Sequence, residues 1–319
     1  MTRLVTVFGG SGFVGRHVVR ALAKQGWQIR VAVRRPDLAG YLQPMGSVGQ
    51  IMAVQANLRY PDSVTRAIDN ADAVVNLVGI LAPSGKQSFN AVQVEGARAI
   101  GLACAHASIS NVVQMSAIGA DKDSAAVYAR TKAEGEAAML ANLPTTVVLR
   151  PSIVFGPEDN FFNQFAALAR FLPALPLIGG GDTKFQPVFV GDVAEAVAKA
   201  LDGKATPGAV YELGGPAVKS FREILSYILA ETGRKRLLVP IPFPIAEIQG
   251  RILENLPGAL LTRDQVLMLK QDNVVSSAAK NDGRTLEGLG ITPDSVEAIV
   301  PTYLYRFRKA GQFDREKAT

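Results

Sequence analysis

Near its start the chain carries a run that leaves little freedom of fold: Leu4-Val-Thr-Val-Phe8, β-branched and aromatic, ends in Gly9-Gly-Ser-Gly-Phe-Val-Gly15, and residues 17–24 then read as a helix. A strand, a glycine turn and a helix in that order open a βαβ unit. Further apolar runs at 29–33, 51–54, 73–78, 112–115 and 146–149 alternate with helical patterns. Strands repeatedly joined through helices must lie parallel, in a sheet covered on both faces. The expectation is an α/β chain, a doubly wound parallel sheet, with a smaller C-terminal α/β lobe.

The glycine spacing carries chemistry as well as shape. Gly10-x-Gly12-x-x-Gly15 matches a dinucleotide fingerprint, in which glycines permit the turn, let a pyrophosphate approach the backbone, and pack helix against strand. The N–H groups opening the helix and its dipole then face the phosphates. Gly9, Gly10, Ser11, Gly12, Phe13, Val14 and Gly15 are therefore the expected phosphate loop. A site for NAD normally has a carboxylate at the end of the second strand for the ribose 2′-hydroxyl; here Arg34 and Arg35 stand there. Guanidinium forks suit a phosphate, so NADPH is expected over NADH.

Composition removes other classes. Of 319 residues, 48% are hydrophobic and 19% charged, which excludes a disordered chain. The excess of 34 Lys and Arg over 28 Asp and Glu is modest and forms no long basic run, so no nucleic-acid partner is expected. A single cysteine, Cys104, excludes a disulfide framework, and two histidines, His17 and His106, leave no His-rich metal centre. No metal is expected. No apolar stretch approaches the ~18 residues of a membrane span, and strand 4–8 follows no signal segment, so a cytoplasmic location is expected.

After Arg150-Pro151 glycine and proline become frequent, as in Leu175-Pro-Leu-Ile-Gly-Gly-Gly181. The nucleotide domain is placed at 1–150, and a lobe for substrate or interaction, interleaved with it, at 151–319. Residues 221–232 and 245–255 read as helices flanking the stiff Val239-Pro-Ile-Pro-Phe-Pro244. Phe161-Phe-Asn-Gln-Phe165 and residues 171–177 could line an apolar pocket for a quinone or lipid chain, or serve as core. At the C-terminus Tyr303, Tyr305, Phe307 and Phe313 interleave with Arg306, Arg308, Lys309, Arg315 and Lys317. That composition suits either a peripheral membrane contact by an amphipathic tail or a helix packed on its own domain.

Tyr128-Ala-Arg-Thr-Lys132 puts a phenol and an ammonium on one helical face. With the glycine loop, Asn76-Leu-Val-Gly79 and Arg150-Pro-Ser-Ile-Val-Phe-Gly-Pro157, the first 215 or so residues resemble the extended and atypical short-chain dehydrogenase/reductase superfamily, with its Rossmann-type fold. The resemblance implies Tyr128 as acid/base, Lys132 anchoring the ribose, and cofactor contacts from Asn57, Leu58, Leu77, Val78, Gly79, Pro151 and Ile153. Three positions depart from it. The strand-end serines become Met115-Ser116-Ala117-Ile118, leaving Ser116 as a weak donor; Asn57 replaces an aspartate, and Gln93 replaces the asparagine of Asn-x-x-Gly. Loss of a second donor removes oxyanion stabilisation of a few kcal/mol, which weighs against turnover.

Beyond residue 215 the runs 256–265, 269–276, 289–293 and 299–308, with Phe185-Gln-Pro-Val-Phe-Val-Gly-Asp192, resemble the nucleotide-binding accessory subunit of respiratory complex I, in its bacterial form. That resemblance implies a structural or regulatory NADPH, complex I subunits as partners, and a place at the cytoplasmic face of the inner membrane near the quinone site. The competing expectation is a catalytic NADPH-dependent oxidoreductase or isomerase on a hydrophobic carbonyl or a quinone-pathway intermediate.

Overall fold

The computed structural model describes residues 3–254 and 261–313. Its first half runs β1 (Leu4–Phe8), α1 (Phe13–Lys24), β2 (Gln28–Val33), β3 (Ile51–Gln55), α2 (Pro61–Ile68), β4 (Ala73–Asn76), α3 (Glu95–His106), β5 (Val112–Met115), α4 (Val127–Asn142) and β6 (Val147–Pro151). There follow β7 (Val154–Phe155), α5 (Phe161–Phe171), β8 (Ala174–Ile178), β9 (Lys184–Phe185), β10 (Val188–Phe189), α6 (Val190–Leu201) and β11 (Val210–Leu213). The remainder is β12 (Lys219–Ser220), α7 (Phe221–Glu231), β13 (Leu237–Ile241), α8 (Phe243–Leu253), α9 (Arg263–Met268), α10 (Ser277–Asn281), α11 (Val296–Ile299) and α12 (Pro301–Leu304).

Among the described residues one seven-stranded sheet dominates, in the order β11-β6-β5-β4-β1-β2-β3 and parallel throughout. The order reverses between β1 and β4, creating the crevice at the strand ends where open α/β sheets bind ligands. The inner strands are apolar on both faces because helices cover both: Val5, Val7, Val74, Val75, Val113 and Leu149 are fully buried. The doubly wound Rossmann-type fold expected from the sequence is the one observed.

The chain divides into two compact units. The first comprises Met1–Pro151, Val190–Leu213 and Ser276–Thr292; the second comprises Ser152–Phe189, Gly214–Val275 and Pro293–Thr319. The chain thus leaves the first unit after Pro151 and returns twice. The first return supplies α6, packed along α1, and the edge strand β11, paired with β6. The second is tied on by the Arg284 carbonyl, which accepts from Glu212 N at 3.0 Å, and by Lys199 Nζ donating to Gly290 O at 2.8 Å.

The second unit has its own core, in which Phe155, Phe162, Phe185 and Phe221 pack with Ile224, Ile228, Val300 and Leu304. Phe161 and Phe165, two residues considered for a pocket, spend their rings on this cluster: Phe161 lies edge-on to Phe165 at 5.2 Å, and Phe165 to Phe221 at 5.6 Å. Of residues 171–177, Leu175 and Leu177 are buried and Phe171 is exposed. Gln186 clamps two distant segments, donating to Gly215 O at 2.7 Å and accepting from Val275 N at 3.0 Å.

Of the C-terminal residues considered for a membrane contact, Tyr303, Arg306 and Arg308 are engaged inside the second unit, whereas Tyr305 and Phe313 are exposed. Tyr303 is buried, and its hydroxyl donates to Asp159 Oδ2 at 2.7 Å. Arg306 donates to Pro157 O and Asn163 Oδ1, and Arg308 pairs with Glu231. Arg315 and Lys317 lie outside the described residues, as do positions 256–260 of the C-terminal motifs. No helix among the described residues is long and apolar enough to cross a membrane.

Candidate functional site

The glycine loop closes where β1 meets α1. Gly9 adopts φ +78°, a left-handed conformation that favours glycine, and its carbonyl accepts from Gly12 N at 3.0 Å. A Cβ on Gly15 would stand 2.3 Å from that same carbonyl oxygen and 2.6 Å from Gly10 Cα, so only glycine lets α1 lie this close. Tyr41 fixes the loop from outside, its hydroxyl donating to Ser11 O at 2.6 Å. α1 begins at Gly12 without a capping side chain and without an acidic residue in its first turn. Its first N–H groups and positive end are thus open to an anionic ligand.

The loop borders a cleft of about 280 Å³. Of the expected cofactor residues, Gly9, Ser11, Gly12, Arg34, Asn57, Leu58, Leu77, Val78 and Gly79 line it; Gly10, Phe13, Val14, Gly15, Arg35, Tyr128, Lys132, Pro151 and Ile153 do not. Gly10 and Gly15 act from behind, as packing positions. Pro151 belongs to the first unit and Ile153 to the second. Arg35 pairs with its neighbour Asp37, whose carboxylate receives Nη2 at 2.7 Å and Nε at 3.0 Å. Their mutual hydrogen bond raises the Arg35 pKa and holds Asp37 below the usual carboxylate range.

Arg59 lines the cleft beside Asn57 and was not among the residues expected from the sequence. β2 and β3 run parallel with Val33 opposite Gln55, which brings the segment after β3 beside the segment after β2. Asn57 Oδ1 accepts from Arg59 N at 3.2 Å, turning the chain there. Among the described residues, Arg34 and Arg59 are the only charged ones in the lining, and none of the lining residues is a carboxylate.

Lys132, on α4, is buried, and its Nζ donates to Met115 O at 3.4 Å. A Cβ on Gly79 would stand 3.2 Å from that Nζ, so the ammonium sits directly behind a residue of the cleft wall. Burial lowers the Lys132 pKa from its ordinary 10.5 to about 8, and the Glu136 carboxylate one helical turn on opposes the shift. Glu136 is itself fixed by a two-pronged pair with Arg150, at 2.9 and 2.5 Å. Lys132 Nζ also lies 5.8 Å from the centre of the Tyr128 ring, which meets Phe89 edge-on at 6.0 Å. The phenol and ammonium of the Tyr-x-x-x-Lys pair are thus neighbours.

Ser116 is buried at the end of β5, and its Oγ has no hydrogen-bond partner among the described residues. Gln93 occupies a π-helical turn, Asn90–Val94, ahead of α3. Its Nε2 donates to Ile80 O at 3.0 Å, and its Oε1 accepts from Thr131 Oγ1 at 2.9 Å, bracing α4 between Tyr128 and Lys132. The described residues contain no cluster of His, Cys, Asp and Glu able to hold a metal ion.

An open parallel sheet, a glycine loop at its switch point and a cleft beyond it define an α/β protein of the Rossmann type. The chain belongs to the NAD dependent epimerase/dehydratase family, whose pattern matches residues 5–214. It is 33% identical over 320 residues to the NADH dehydrogenase [ubiquinone] 1 alpha subcomplex subunit 9 of Arabidopsis thaliana mitochondria, covering 97% of this chain and 79% of that one. It is 31% identical over 289 residues to the ceramide reductase of Caulobacter vibrioides, covering 88% of each. Among solved structures, a dTDP-glucose 4,6-dehydratase of Streptomyces venezuelae with NAD and TYD bound superposes with TM-score 0.72 at 19% identity, over 95% of this chain and 96% of that one. The last likeness is one of fold.

Proposed function

We propose that this chain holds NADPH as a structural or regulatory group and serves as an accessory subunit or assembly factor of respiratory NADH:quinone oxidoreductase, at the cytoplasmic face of the inner membrane. The observation that carries this reading is the extent of the likeness to complex I subunits. It covers 97% of the chain in the Arabidopsis relative and 98% in the Neurospora crassa 40 kDa subunit, far beyond the family pattern that stops at residue 214. The choice of NADPH rests on Arg34 and Arg59, which supply two cations at the adenosine end of a cleft whose described lining holds no carboxylate. NADPH brings a hydride donor and a 2′-phosphate; the chain's own residues would bind the pyrophosphate at α1, the ribose at Lys132 and the 2′-phosphate at Arg34. Migration with NADH:quinone oxidoreductase activity on a native gel of mildly solubilised membranes is the expected result. A chain that always migrates alone would refute it.

A second reading, an NADPH-dependent reductase or isomerase of a hydrophobic carbonyl such as a lipid or quinone-pathway intermediate, has its own support. Tyr128 and Lys132 are retained as neighbours, and the Ser116 Oγ is buried without a hydrogen-bond partner among the described residues. The likeness to a ceramide reductase agrees with it. In this reading the Tyr128 hydroxyl gives or takes the proton at the substrate oxygen, with the Lys132 ammonium beside its ring. NADPH oxidation by long-chain carbonyl substrates that vanishes in Tyr128→Phe would select it over the accessory role.

A further inference from the structure

The second unit carries a surface that neither its ring cluster nor the cleft of the first unit uses. The end of α5 exposes Phe171 (79%) and Leu172; β13, one edge of a two-stranded ribbon with β8, exposes Leu237 (72%) and Val239. α8 exposes Ile245, Ile248 and Ile252. Their spacing of three and then four places the isoleucines on one side of the helix, while Ala246 and Gly250 are buried on the other. Gly250 lies so close to α9 that a Cβ would stand 2.8 Å from Arg263 N. α8 is therefore packed by its small residues and leaves its large ones outward.

Cations accompany these side chains without compensation. A groove of about 520 Å³ is lined by Pro173, Leu229, Arg234, Lys235, Arg236 and Leu237. Arg234 donates Nε and Nη2 to Phe307 O at 3.3 and 3.0 Å, and Arg236 donates Nε to Ala169 O at 2.9 Å. Backbone carbonyls thus aim both guanidinium groups without neutralising them. Burial, with repulsion from Arg236 and Arg170, pushes the Arg234 pKa below its ordinary value. The described ion pairs include no carboxylate for Arg170, Arg234, Lys235 or Arg236. On α8, by contrast, Glu247 is neutralised by Lys270 at 2.6 Å.

We propose that this face docks the protein peripherally on an anionic phospholipid bilayer, with a headgroup phosphodiester seated between Arg234 and Arg236, and Leu237, Val239 and the α8 isoleucines entering the acyl boundary. Charge complementarity chooses this occupant. The apolar groups are mostly aliphatic, and the charges that line the groove beside β13, Arg234, Lys235 and Arg236, are of one sign, the combination that binds an interface by area plus attraction to anionic lipid. The docking face is built on α5, β13 and α8 and abuts the C-terminal segment, whose Phe307 carbonyl holds Arg234. It deepens the first role in the preceding section, which places the chain at a membrane, and it does not depend on the nucleotide.

The test is flotation of the full chain with vesicles of phosphatidylcholine, with or without phosphatidylglycerol. Binding to the anionic vesicles, weakened about tenfold from low to high salt and absent on neutral vesicles, is expected. Arg234→Gln with Arg236→Gln, and separately Ile248→Glu, should each lose about tenfold or more, while Leu38→Glu, an exposed position of the first unit, binds as the parent does. Failure of the parent chain to float, or flotation unchanged in the arginine and isoleucine variants, overturns the proposal. Complete competition by millimolar glycerol phosphate or inorganic phosphate would also overturn it, marking a site for a small anion. NADPH fluorescence on the same samples reports the nucleotide reading separately, so that either can fail without the other.

Discussion

The carboxylate of Asp37 holds the Arg35 guanidinium at 2.7 Å, and this pairing assigns two adjacent arginines to different tasks. Arg35 is spent on its neighbour, whereas Arg34 lines the cleft with Arg59. Arg34→Ala and Arg59→Ala should therefore each weaken NADPH binding by about tenfold, the value of one solvent-accessible charge-assisted contact, and leave NADH binding unchanged. Arg35→Ala should alter neither. Fluorescence titration with both nucleotides measures all three variants, and equal losses for NADPH and NADH would show that no 2′-phosphate is read there.

Lys132 gives the first unit a pH-dependent stability whose sign follows from burial. Its pKa in the fold is about 8 against an ordinary 10.5, so between those values the unfolded chain binds more protons than the folded one. Stability from this group is lowest below pH 8 and rises as pH climbs toward 10.5, by up to about 3 kcal/mol. Urea midpoints of the nucleotide-free protein at pH 7 and pH 9.5 should rise for the parent relative to Lys132→Met. A parallel pH response in the two proteins would exclude a shifted Lys132.

What could be read in the sequence divides along the same line as local and distant causes. The glycine loop was legible because its constraint is local: Gly9 must turn, and Gly15 must pass the Gly9 carbonyl. The alternating runs announced the parallel sheet for a similar reason, since each strand's burial on both faces is written in its own residues. Arg59 was not legible, because its place beside Arg34 exists only once β3 pairs with β2. The engagement of Tyr303 and Arg306 was equally hidden: their partners lie 144 and 143 or more positions away, at Asp159, Asn163 and Pro157. Composition alone made those residues look available.

Gly15→Ala tests the loop directly. The added Cβ must displace backbone, not a flexible side chain, because its nearest neighbours are Gly9 O, Gly10 C and Gly10 Cα. A loss of about 3 kcal/mol, at the upper end of ordinary overpacking, is expected together with loss of nucleotide binding. Gly26→Ala is the comparison: a Cβ there meets nothing within 4 Å, though φ +81° makes it strained. It should cost about 1 kcal/mol and keep the nucleotide. Urea denaturation with NADPH titration separates these outcomes, and a Gly15→Ala protein that binds NADPH normally would contradict the packing described.

The Asp159–Tyr303 contact closes the C-terminal segment onto the loop before α5. Asp159 accepts from Gly156 N at 3.1 Å and Asn163 N at 3.0 Å as well as from the phenol at 2.7 Å. Burial raises its pKa, opposed by these same bonds. Tyr303→Phe removes one donor from a buried carboxylate while preserving the ring's place in the core, and should destabilise the second unit by about 1–3 kcal/mol. Asp159→Asn should cost a similar amount, because an amide cannot accept all of these bonds with one oxygen. If the contact is the whole cause, the double variant loses less than the sum of the two, a coupling that urea denaturation of the four proteins measures. Strict additivity would show that the two residues act through separate packing defects.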